Sequence, residues 1–105
     1  MSLATFPKKR LDIIIEAPAL NRLLEQLSAM GVTGYTVFPA LAGHGYDGQW
    51  QRDDSFNDAS HMVMVSSIMD ATKIDAVLEA AYIVVRRQIG IVTVSDVQVV
   101  RSEHF

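Results

Sequence analysis

The chain has 105 residues, half of them apolar, and a formal charge of −3. That length suits one domain, 1–105, with enough apolar residues for a core; the acidic balance argues against broad nucleic-acid binding, which needs a basic face. There is no Cys, so disulfides, thiolate chemistry and Cys-based zinc sites are excluded.

The chain opens Met1-Ser2-Leu3-Ala4-Thr5-Phe6-Pro7, too short and polar a start for a signal peptide. No apolar run reaches the roughly 18–20 residues of a membrane span. The expected location is therefore cytoplasmic. Lys8-Lys9-Arg10 reads as a solvated lead-in to a strand. Leu11–Ile15 is short, apolar and rich in β-branched residues, which predicts strand one. Pro18 suits the first turn of a helix, where its missing N–H costs nothing. Leu20, Leu23, Leu24 and Leu27 then follow the spacing of a buried helical stripe, and Gly31 is placed as a left-handed cap.

Strand two is predicted from about Gly34 to Leu41. A glycine-flanked loop of about residues 43–58 follows, long for so small a domain, and such loops usually carry function. It holds the only Trp, Trp50, together with His44, Arg52, Tyr46, Phe56 and four Asp. Ser60–Ile68 is predicted as strand three; its apolar middle suits the centre of a sheet. Asp70 is expected to cap helix two. Ile74, Val77, Leu78, Ala81, Val84 and Val85 form that helix's stripe, with Arg86-Arg87 at its C-terminal end. Strand four begins near Ile89-Gly90 and runs toward Arg101. Val92 and Val94 share one phase and Val97 and Val99 the other, which predicts a bulge near Ser95-Asp96. Ser66 and Ser67, within strand three, need no role, and Ser102–Phe105 is expected to be loose.

The order β-α-β-β-α-β predicts an α+β, ferredoxin-like sandwich with both helices on one face of the sheet. Strands apolar on both sides point to oligomerisation. This fold hosts many functions and decides none of them.

With Gly34-Tyr35-Thr36-Val37 at strand two and the long loop after it, the chain resembles the PII signalling proteins, in order and spacing from Lys9 to Arg101. The Gly-Tyr-Thr-Val form and Gly43-His44-Gly45 are most similar to the PII-like proteins associated with carboxysomes and bicarbonate transport. The resemblance implies a homotrimer that binds adenine nucleotide in clefts between subunits and docks its long loop (the T-loop) on a target protein, here a bicarbonate transporter. Location on a carboxysome or at the inner membrane face follows from the same resemblance. Its implied nucleotide-binding residues are Gly34, Tyr35, Thr36, Gly43, His44, Gly45, Gly90, Ile91 and Arg101.

The family's glycine-rich phosphate turn with its lysine is replaced here by Gln88-Ile89-Gly90-Ile91-Val92, and a companion arginine two positions before Arg101 is Val99. ADP or AMP is therefore favoured over ATP, with cyclic AMP a further ligand and bicarbonate a second one. Sensing of 2-oxoglutarate is not expected. Arg52 is a candidate anion partner, because a planar guanidinium suits phosphate and bicarbonate, which can each accept paired hydrogen bonds; Lys9 is a second candidate for the same anions. Tyr46, Trp50 and Phe56 are candidate partner anchors.

Each residue also has a plain structural reading. Thr36 is a good β-former, Gly43 and Gly45 are ordinary turn residues, and Arg101 is a solvated strand end. His44 and His61 with Asp47, Asp53, Asp54 and Asp58 match no metal spacing, and no metal site is predicted. No nucleophile elbow, P-loop or paired-acid signature is present, so no catalytic residue is assigned and no enzyme is expected. The alternative function is a CutA-like, trimeric, metal-responsive protein of the same architecture.

Overall fold

A computed structural model describes residues 3–45 and 61–105, with the backbone of Gly48–Gln51 between them. The elements are β1 (Phe6–Glu16), a 3-10 turn (Ala17–Ala19), α1 (Leu20–Ala29), β2 (Thr36–Pro39), β3 (Ala42–Gly45), β4 (Gly48–Gln51), β5 (Met62–Met69), α2 (Ala71–Val85) and β6 (Gly90–Val99). Four strands form one antiparallel sheet in the order β2-β5-β1-β6, and β3 and β4 form a separate hairpin. This is the α+β, ferredoxin-like arrangement.

β1 is paired on both sides. Its register runs from Phe6↔Val99 to Ile15↔Gly90 against β6, and from Lys9↔Met69 to Glu16↔Met62 against β5. It starts five residues before the predicted Leu11, because pairing to β6 holds Phe6–Arg10 extended whatever their polarity. Successive side chains alternate between the two faces, so Leu11, Ile13 and Ile15 lie buried under the helices. Leu23 and Leu27 of α1, Ile74, Val77, Ala81, Val84 and Val85 of α2, and Val63, Val65 and Met69 of β5 complete this core. Leu78, expected in the α2 stripe, is only partly buried against it.

The predicted bulge in β6 does not occur. Pairing with β1 is continuous through Lys9↔Asp96 and Arg10↔Ser95. Val92 and Val94 stand opposite Ile13 and Leu11 on the helix side, while Val97 and Val99 stand opposite Lys8 and Phe6 on the other side. The change of phase records two apolar faces rather than an extra residue. On the face away from the helices the registers align Phe38, Met64, Ile14 and Ile91 in one apolar row, and Thr36, Ser66, Asp12 and Thr93 in a polar row beside it. Asp12 pairs with Arg10 at 3.0 Å, and its other carboxylate oxygen is buried with no hydrogen-bond partner among the described residues.

α1 ends as the sequence implies. Gly31 has φ of 82°, and Gly31 N–H and Val32 N–H donate to the carbonyls of Ser28 and Leu27 at 3.0 Å each. This paired closure is the Schellman motif, which needs a left-handed residue at that position.

Other boundaries move. β2 is shorter than predicted, with Gly34, Tyr35, Ala40 and Leu41 outside it. The loop predicted over 43–58 begins in regular structure: Gly43 and Gly45 are strand residues, paired with Trp50 and Gly48. A hairpin of local contacts needs no core, so hydrophobic patterning could not reveal it. Arg86 and Arg87 lie just beyond α2 rather than in its last turn.

Gly90 opens β6 where the sheet meets the end of α2. A Cβ there would stand 2.7 Å from the Ile14 carbonyl oxygen and 3.4 Å from Cγ1 of Val85. Backbone cannot yield as a side-chain tip can, so Gly90→Ala should destabilise the protein by about 1–3 kcal/mol. In thermal unfolding the midpoint should fall by about 5 °C or more; an unchanged midpoint would show that this approach is not tight.

Candidate functional site

Among the described residues, a groove of about 420 Å³ runs beside the β2 edge of the sheet. One wall is the segment that leaves α1 and enters edge strand β2, Gly31–Thr36. The floor is the end of β5, Ser66–Met69, and Lys73 with His104 and Phe105 closes the far side.

The wall is built by one local turn, one buried anchor and one long-range hydrogen bond. The Gly31 turn redirects the chain, and Val32 anchors it by burial. Ser67 then fixes the next turn of the path: its Oγ donates to the Gly34 carbonyl at 2.6 Å, and the residue is only 4% exposed. A buried hydroxyl aimed at one backbone carbonyl specifies position, because losing it would leave that carbonyl without its protein donor. Ser67 therefore has a role that the sequence reading denied it. The available signal was a polar residue at an inward position of a strand otherwise reading Val63, Val65, Met69. Gly34 itself is open: a Cβ there meets nothing within 4 Å. Its side faces the groove, so the fold does not require glycine at this position.

The tail Ser102–Phe105, expected to be loose, lies against the groove. Lys73 Nζ donates to the Phe105 carbonyl, and Lys8 Nζ lies 5.1 Å from the centre of the Phe105 ring. Lys8 is at the same time paired with Asp70. Asp70 does occupy the N-cap position of α2, but its side chain makes no capping hydrogen bond; Lys8 takes the carboxylate instead.

The candidate residues do not converge within one chain. Gly34, Tyr35 and Thr36 line the groove at edge strand β2. Gly90 and Ile91 begin β6, the opposite edge, about 14 Å away across three strand spacings. Arg101 lies two residues past the far end of β6, which is itself about 30 Å along the strand from Gly90; it is exposed and its Nε stands 4.0 Å from Glu103. Gly43, His44 and Gly45 belong to the β3–β4 hairpin. Lys9 is already engaged by Asp96, its cross-strand neighbour. Trp50 lies on β4; Tyr46, Arg52 and Phe56 lie outside the described residues. Among the described residues no three His, Asp or Glu side chains come together as a metal site, and no helix is long and apolar enough to cross a membrane.

The ammonium of Lys8, hydrogen-bonded to Asp70, holds that carboxyl below its ordinary range. A carboxyl with a lowered folded pKa stabilises the fold fully above its unfolded value, about 4, and loses that contribution as pH falls through the folded value. Asp70→Asn should therefore lower the melting temperature at neutral pH. The gap to the wild type should close on acidification below about pH 4. A gap that persists unchanged into strong acid would rule the ion pair out as its cause.

Comparison with known proteins places the chain in a family. The family model of nitrogen regulatory protein P-II matches residues 8–104. No curated protein matches the chain. Among solved structures, CPII from Thiomonas intermedia, a nitrogen regulatory PII-like protein bound to ADP, AMP and bicarbonate, is 28% identical, with 95% of this chain and 94% of that chain covered and a TM-score of 0.82. The same protein bound to ADP and bicarbonate is 27% identical, with 95% of each chain covered and a TM-score of 0.79. The GlnK–ATP complex of B. subtilis is 16% identical over 87% of this chain and 82% of that one, TM-score 0.63, and shares the fold. With a family match that spans nearly every residue of the sheet and both helices, the chain belongs to the nitrogen regulatory protein P-II family.

Proposed function

We propose that this protein is a PII-like regulator, not an enzyme, that binds ADP or AMP in the groove at Gly34–Thr36. The observation that carries the reading is the groove itself: a cleft at a sheet edge, walled by a backbone segment that Ser67 holds open to a ligand. Its support from relatives is that CPII, at 27–28% identity, is bound to ADP and bicarbonate in one structure and also to AMP in another.

The site is completed by a second copy. Gly90 and Ile91 stand at the sheet edge opposite Thr36, but a neighbouring protomer can bring its β6 edge to this β2 edge. A closed ring of copies joins the two edges by one repeated contact, and the homotrimer that the family resemblance implies is such a ring. The sheet face away from the helices supports such an assembly, because Phe38, Ile14 and Ile91 of its apolar row are exposed and need cover.

Bicarbonate acts as a second ligand in this reading. Ligands shift the segment around residues 43–58 between populations, which requires different affinity for each, and Trp50 with Tyr46 and Phe56 meets a target. The target fitting the carbon-linked relatives is a bicarbonate transporter, with the protein held in the cytoplasm, at a carboxysome or at the inner membrane face.

Thermal unfolding with ATP, ADP, AMP and cyclic AMP, each with and without bicarbonate, tests the ligand. A native-state site at about 100 times its dissociation constant adds about 2.7 kcal/mol, a midpoint rise of about 10 °C for a domain of this size. A rise selective for ADP or AMP is expected, larger with bicarbonate; no rise with any nucleotide would sink the reading.

Gly34→Ala separates ligand contact from folding. The ligand-free variant should unfold within about 0.5 kcal/mol of the wild type, as for an open surface site. Its nucleotide affinity should fall about tenfold, since the added methyl points into the groove. Unchanged affinity would remove Gly34 from the contact surface.

A further inference from the structure

We propose that Glu16 sets which nucleotide the site accepts: its carboxylate occupies the turn between α2 and β6 where an outer phosphate would otherwise be held, and so disfavours ATP. The inference rests on the reading above, in which Gly90 and Ile91 of a neighbouring copy face the nucleotide in the groove.

The turn has no backbone donor to spare before β6. The N–H groups of Arg86, Arg87 and Gln88 donate to the carbonyls of Tyr82, Val84 and Val85. The next N–H, that of Ile89, donates to Glu16 Oε1 at 2.9 Å. With the Gln88 amide turned to satisfy its neighbours, its nitrogen donates to the same oxygen at 3.2 Å, and its oxygen accepts from Arg22 Nη2 at 3.0 Å. Successive backbone N–H groups in a turn are what an anion binds. Here a carboxylate of the chain itself has taken the one that the helix left.

Glu16 comes to this place from 73 residues away. It stands at the N-cap of the 3-10 turn but makes no capping hydrogen bond there, although a carboxylate suits that task. It lies one residue beyond the last β1–β6 pair, Ile15↔Gly90, so the register brings it beside Ile89. The close approach of Gly90 to the Ile14 carbonyl holds the turn against β1. Among the described residues Glu16 enters no ion pair. Its charge is offset only by the N–H dipoles, and it repels a second anion. Each further phosphate brings more negative charge toward the turn, so the penalty grows from AMP through ADP to ATP.

Calorimetric titration of the full-length protein with AMP, ADP and ATP, with magnesium chelated, tests the assignment. Glu16→Gln is the main variant, because its amide oxygen can still accept from Ile89 while the charge is gone. A unit charge at about 10 Å and an effective dielectric of about 20 is worth on the order of tenfold in affinity. Glu16→Gln should therefore bind ATP about tenfold more tightly, ADP by less than that, and AMP within about twofold of the wild type. A second measurement needs no variant: raising the salt from about 0.05 to 0.5 M should narrow the wild type's preference for ADP over ATP, since ions screen the carboxylate. An unchanged ATP-to-ADP ratio in Glu16→Gln would overturn the assignment and leave the nucleotide site standing. An equal change for all three nucleotides would also overturn it, because the shape of the turn and not the charge would then be at work. A preference indifferent to salt would count the same way, even if the variant failed to fold. If the wild type binds no adenine nucleotide, the nucleotide reading itself fails and the role of Glu16 falls with it.

Discussion

The double-sided pairing of β1 is the constraint on which the rest of the structure depends. A strand hydrogen-bonded along ten residues to β6 and eight to β5 cannot slip by one position without sending Leu11, Ile13 and Ile15 to the wrong face. That register decides which residues are core, which line the opposite face, and which strands are left at the edges. β2 and β6 are those edges, and the groove and the Gly90 turn lie at them. The separation of the candidate site residues thus follows from where β1 sits. A ligand site that draws on both edges is possible only where one molecule's edge meets another's.

The groove shows how little side-chain chemistry is needed to shape a backbone for recognition. A left-handed glycine, one buried valine and one serine hydroxyl set the path of Gly31–Thr36. Ser67 is placed to hold Gly34 because β5 is interior and its odd-numbered residues point to the core. A polar group at that depth is tolerated because it is satisfied. The two glycines of the candidate site differ in kind. Gly90 is required by the fold, with Ile14 and Val85 against it, whereas Gly34 faces open space. Only the second has room beside it that a ligand, and not the chain itself, would fill.

The lysines divide the charge of this region among several tasks. Lys8, Lys9 and Arg10 are consecutive, yet alternation sends them to different neighbours: Lys8 to Asp70 and the Phe105 ring, Lys9 to Asp96, Arg10 to Asp12. A run that reads as one basic patch is therefore three separate pairings. Lys9 thus stands beside a carboxylate and Lys8 beside the tail. Exposed pairs of this sort add little stability individually; their effect is to position chain segments.

The sequence by itself determined the order of the main elements, the buried stripes of both helices, the Gly31 cap and the central place of β5. Each depends on local spacing or on composition within one segment, and local spacing is visible in one dimension. The motif Gly34-Tyr35-Thr36-Val37 and the order of elements around it were likewise sufficient to point to the family. Tertiary structure alone decided what lay between segments. The phase change in β6 read as a bulge because one strand cannot show that both of its faces are apolar; pairing with β1 showed it. Asp70 looked like a cap until Lys8, 62 residues away in sequence, took its carboxylate. Ser67 and Phe105 had no visible role because the carbonyl and the lysines they meet come from distant parts of the chain. Periodicity encodes which way a side chain faces, but not what it faces, and the groove is made of the latter.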